Sequence, residues 1–409
     1  MRPPRTGTIA VLVVFSSTFI FAAQPAYTRR RHPTWGQILI SGGRDDNTID
    51  LYDPASNRFV PEIAVPRMKR RVGATATVLV SGPNAGKVLL AGGDNRNGIA
   101  RASTELYDPA SNTVMLGPPM HIPRKGQIAA VIAHGPHAGM ILIAGGRDAG
   151  NYRLSSTELY DPEGNTFSPG PAMGVTCDYC PATMIPSGKK SERLLIAGCY
   201  DSDGQTALLE IYDPAANKFI AGPRTNMLRV YSATAIPSGK SAGKVLIIGA
   251  IDTASQKIMP RTGFYDPDAN IFSPGPAAKN IRNGHTAIVI TSGPYAGRIL
   301  IAGGGNWVDD SPTLASTELF DPDSNAFSPG PSMNTARARH SAMAILSGKN
   351  AGKILIAGGF ETDGKGGLVE HSSTELYDPV SNKFAPPGDT PIMNGMRSDP
   401  VAIQLPPAP

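Results

Sequence analysis

Arginine recurs at Arg71, Arg124, Arg282 and Arg337, each a few residues ahead of a short run of small and β-branched residues. Aligned on the turn that follows, Cys177 and Leu228 fill the same position in two further copies. Three residues later come Ala74, Gln127, Cys180, Tyr231, His285 and His340, and Asp399 joins them from a seventh copy. Guanidinium forks grip carboxylate or sulfate through paired N–H donors. Gathered around one opening, these residues would form an anion- or sugar-binding rim, with Tyr200, Trp307 and Phe360 as stacking surfaces. The competing role is structural: Asp45, Asp94, Asp148, Asp201 and Asp252 can neutralise the arginines within their own repeats.

The three cysteines lie close together at Cys177, Cys180 and Cys199. If Ile185 pairs with Leu194 in a hairpin, Cys180 falls opposite Cys199, and an oxidising compartment would join them. Cys177 is then free, or takes the place of Cys180 if the register slips. As a metal site the trio offers three ligands and no obvious fourth, so the expectation is a disulfide and no metal. Asp201-Ser202-Asp203-Gly204 and Glu361-Thr362-Asp363-Gly364 lack the full oxygen series of a calcium loop and read as polar turns.

What must position these residues is a pattern repeated seven times. Asp-Pro pairs stand at Asp53, Asp108, Asp161, Asp213, Asp266, Asp321 and Asp378, 52 to 57 residues apart, each followed by x-x-Asn. A period of that length marks stacked or radial modules. Each unit holds four strand candidates. A first strand of small and β-branched residues leads through a glycine turn to an apolar second strand, such as Ile299-Leu300-Ile301-Ala302. A third strand alternates, and a fourth centres on a phenylalanine, or on Val114 once. Proline sets the first corner of the turn between them, and asparagine tolerates a left-handed backbone.

The phase of the repeat predicts how it closes. The chain enters at a second strand, Gln37-Ile38-Leu39-Ile40, and ends on a lone first strand around Val401-Ala402-Ile403-Gln404. The last strand should therefore complete the first unit and remove an open sheet edge. Loops after the glycine doublets and the leads into first strands emerge on one face, where the units differ most. The tight turns share the other.

Glycine doublets at Gly42-Gly43, Gly92-Gly93, Gly145-Gly146, Gly303-Gly304 and Gly358-Gly359, the third-strand Tyr-Asp and the fourth-strand aromatic resemble the kelch repeat. Gly198-Cys199 and Gly249-Ala250 depart from it, and phenylalanine stands where kelch repeats carry tryptophan. The resemblance spans residues 36–405 and implies an all-β, seven-bladed β-propeller of the bacterial, exported type. It implies little about activity, because the fold hosts enzymes, sugar binders and interaction modules. The enzymatic alternative is a copper radical oxidase similar to galactose oxidase, which needs two tyrosines, two histidines and a thioether cysteine. His285 and His340 come without a clear tyrosine set. The reading is thus a non-catalytic scaffold without a cofactor, recognising a glycan or a protein on its varied loop face.

Composition fits one large domain: 409 residues, 41% hydrophobic, with 45 glycines and 38 prolines recurring at fixed places. Arg2 and Arg5 ahead of an apolar run from Ile9 to Ala23 predict an export signal over residues 1–26, followed by a lead-in over 27–35 and, after the propeller, a tail over 406–409. An uncleaved anchor, the only expected route to a membrane, is the alternative, favoured by Arg29-Arg30-Arg31 and the lack of a clean cleavage site. The net charge of +5 is too small a surplus to call for nucleic acid.

Overall fold

The computed structural model describes residues 36–407, apart from 44–46, 63–65, 96, 186–191, 201–206, 226, 253–257, 306–310 and 363–366, together with Val14–Phe15 and Thr18–Phe19. Seven four-stranded antiparallel blades surround an axis, six of them running from inside to outside in chain order. Blade 2 is typical, with Val72–Val78, Val88–Asp94, Thr104–Asp108 and Thr113–Leu116. Blade 1 is composite. Val401–Gln404 supplies its inner strand and pairs with Ile38–Ser41, so the tail latches the ring. Blade 7 carries an extra hairpin, Phe360–Thr362 with Leu368–Glu370.

Second strands are buried on both faces, as the Ile-Leu-Ile-Ala runs require. The Asp-Pro-x-x-Asn turns close through their own side chains. Asp53 Oδ1 accepts the Ala55 N–H at 3.0 Å, and the asparagines take φ between +46° and +58°. In six blades the third-strand tyrosine donates its hydroxyl to that asparagine at 2.8–3.0 Å. These tyrosines, with Phe320 in blade 6, are at most 2% exposed. The fourth-strand phenylalanines are mostly half-buried. Four of them pack at a tilt on the tyrosine of their own blade, as Phe167 does on Tyr160 at 5.1 Å, and Phe327 packs likewise on Phe320.

Two glycine contacts fix blade to blade. In the turn after each inner strand, Gly82 and Gly348 press against the carbonyls of Pro162 and Pro54 in the next blade, where any Cβ would collide. In the doublets, Gly93 N–H donates to the Arg124 carbonyl at 2.8 Å, and neighbouring Gly92 has φ +65° with no room for a side chain.

Val14–Phe15 and Thr18–Phe19 form a short hairpin, and Thr18 lies parallel beside Ala287 of the blade 6 inner strand. The rest of the expected export signal lies outside the described residues. Among the described residues no helix is long and apolar enough to cross a membrane.

Candidate ligand-binding site

The arginine series does not form an open rim. Arg71, Arg124, Arg282 and Arg337 are 0–2% exposed and bind within their own blades. Each Nε or Nη2 meets the third-strand glutamate, Glu105, Glu158, Glu318 or Glu375, at 3.0–3.3 Å. Nη1 donates to the carbonyl of the first doublet glycine and to a serine carbonyl, and Nη2 to that serine's hydroxyl. Burial pulls the guanidinium pKa values down, and the glutamates oppose it. The neutralising partners are thus third-strand glutamates, one strand further out than the aspartates considered from sequence. Arg397 completes the series in blade 1, with Nε 2.6 Å from Asp50. It shifts the alignment by one residue: Asp399 sits two positions past its arginine, beside Gly73 and Gly284, not three.

Blades 4 and 5 break the pattern differently. Blade 5 loses both charges, with Leu228 and Gly263 at the two positions. Blade 4 keeps the carboxyl of Glu210 but has Cys177 in place of arginine, and Cys177 is disulfide-bonded to Cys199. The bond joins the strand lead to the end of the second strand, the two places that Arg124 ties together in blade 3. The expected Cys180–Cys199 bond therefore does not form. Leu194 pairs with Met184 instead of Ile185, a slip of one residue that turns Cys180 toward the Gly198 carbonyl, 3.5 Å away, and leaves it a free, buried thiol. Glu210 has only backbone for company. One oxygen accepts the Gly174 N–H at 2.6 Å, the other accepts nothing, and burial pushes its pKa up to about 7.

The histidines are also structural. His285 Nε2 lies 2.8 Å from Ser232 Oγ and His340 Nε2 2.9 Å from Thr286 Oγ1, each reaching the inner strand of the preceding blade. Both are fully buried; burial lowers the pKa of His285 to about 4 and holds His340 well below the usual imidazole range.

What faces the axis in six of the blades is the residue two beyond the arginine position. There Gly73, Gly126, Tyr179, Gly284, Arg339 and Asp399 all adopt φ between +49° and +69°. Their peptides join in two arcs: Gly126 N–H donates to Gly73 O and Tyr179 to Gly126 in one, Arg339 to Gly284 and Asp399 to Arg339 in the other, at 2.7–3.0 Å. Three copies use glycine, which this conformation suits. The other three place tyrosine, arginine and aspartate there, at a cost of about 1–2 kcal/mol each. No sequence signal marks this ring, because its departures from glycine look like ordinary loop residues.

The three costly side chains line one cavity of about 370 Å³ at the mouth of the axis. Arg339 Nη1 contacts Asp399 at 2.8 Å, and the Tyr179 ring lies across Gly126 and Gly73. Opposite, Asp178 holds Arg147 and Arg153 at 2.6 and 2.5 Å, and Arg153 lies over the Tyr200 ring at 4.0 Å. Three arginines face two aspartates here, one positive charge in excess. Tyr200 and Tyr231 line this cavity. Phe360 lies apart from it, in blade 7, and Trp307 lies outside the described residues.

The kelch motif model matches residues 133–174 and 291–334. The solved structure of YjhT superposes with a TM-score of 0.52 at 11% identity, covering 77% of this chain and 97% of that one. No curated protein matches the sequence. With seven kelch-type units latched in a ring, the chain is a kelch-repeat β-propeller.

Proposed function

We propose that the chain is a binding propeller, exported from the cytoplasm, whose axial cavity takes an acidic sugar unit. The observation that carries this reading is the placement of Tyr179, Arg339 and Asp399 in a backbone conformation that glycine fills in neighbouring blades. Strain of this kind persists where function holds it. Arginines supply forks for a carboxylate, tyrosines supply faces for a sugar ring, and the aspartates accept hydroxyl donors. Export is supported by the Cys177–Cys199 disulfide and the apolar segment near the N-terminus.

Substituting Arg339→Gly tests the reading. It removes one of the cavity's three guanidinium groups and relieves the left-handed strain, at the loss of the ion pair to Asp399. The variant should melt at or above the wild-type temperature and lose binding of glucuronate-containing glycans in titration calorimetry. Unchanged affinity would refute the placement.

A further inference from the structure

The axial cavity is not alone on this face. A second, of about 410 Å³, adjoins it over blades 1, 2 and 7, and the Arg339–Asp399 pair lines both. Its chemistry differs. Arg70 lines it with Nε and Nη1 shielded from water and donating no hydrogen bond among the described residues. Around it stand Asp94, Asn95, Glu370 and Ser398, with the Ser398 hydroxyl on Glu370 at 2.9 Å. Arg70 and Arg339 face Asp94, Glu370 and Asp399, so the lining has no cationic surplus to draw a second carboxylate. Alternating donors and acceptors of this kind suit the hydroxyls and amide of a neutral sugar.

Resting on the axial reading, we propose that the ligand is an oligosaccharide of alternating acidic and neutral units, the acidic one on the axis and a neutral neighbour in the Arg70 cavity. The chain passes over the Arg339–Asp399 pair, which contacts both units. Occupying the second cavity should raise affinity about tenfold, equivalent to about 1.4 kcal/mol.

The probes are glucuronate and hyaluronan oligosaccharides of two and six units, titrated into the full chain. Wild type should bind the hexasaccharide about tenfold more tightly than glucuronate. Arg70→Ala and Asn95→Ala should each cut that ratio several-fold while leaving glucuronate affinity unchanged. Equal affinity for all lengths in the wild type, or an equal loss for all lengths in the variants, would overturn the second subsite and leave the axial one standing. Failure of every length to bind would overturn both.

Discussion

Two buried titratable residues respond to pH with opposite signs. His285 has a folded pKa of about 4, below its unfolded value, so its contribution is complete above about pH 6.5 and declines as pH falls toward 4. Glu210 has a folded pKa of about 7, above its unfolded value. Its contribution is complete below about pH 4.3 and declines as pH rises through 7. Urea midpoints measured from pH 4 to 8 should show both. Glu210→Gln should flatten the high-pH decline and His285→Gln the low-pH one, and an unchanged profile in either would contradict the assignment. Neither role was legible in sequence. The histidines stood in line with arginines and looked like rim residues, but they bond sideways to Ser232 and Thr286 of adjacent blades. Glu210 looked like every other third-strand glutamate, because nothing in a linear reading paired those glutamates with the arginines.

Blade by blade, one device recurs: a buried arginine tying the strand lead to the second and third strands. Removing one partner strands a buried charge. Arg124→Ala should therefore cost about 3–5 kcal/mol, seen as a lower midpoint of chemical unfolding at pH 7. Blade 4 does the same work covalently across 22 residues. Cys177→Ser or Cys199→Ser should cost about 2–4 kcal/mol, and Cys180→Ser much less. The exchange can be run backwards. Cys177→Arg with Cys199→Gly rebuilds the common pattern opposite Glu210. It should keep the fold stable in reductant, whereas the wild type loses stability there; collapse of the double variant would show that blade 4 is not equivalent to its neighbours. Strands and turns were readable at this scale because glycine and proline chemistry is local. The staple was not, since its glutamate lies 34 to 38 residues beyond its arginine. The disulfide forms from Cys177 instead of Cys180, the alternative that a one-residue slip of the hairpin register allowed, the smallest shift that exchanges facing residues.

Across the whole molecule, the repeat phase foretold the closure that the Val401–Gln404 pairing displays. Arg397 reinforces the latch, reaching Asp50, Gly42 and Thr48 at 2.6–3.2 Å. Deleting residues 398–409 removes the inner strand of blade 1 and the cavity's Asp399 together. The truncated chain should melt well below the full chain in calorimetry, and an unchanged melting temperature would refute the latch. The sequence marks the loop face as the place where units differ. The cavity's position came from the left-handed ring, which no periodicity reveals.

The most direct test of the account is a crystal structure of the full chain grown with a hyaluronan hexasaccharide. It should show a glucuronate on the axis, within hydrogen-bond reach of Arg339 and against Tyr200. Sugar density elsewhere on the propeller, with the axial cavity holding only water, would contradict it.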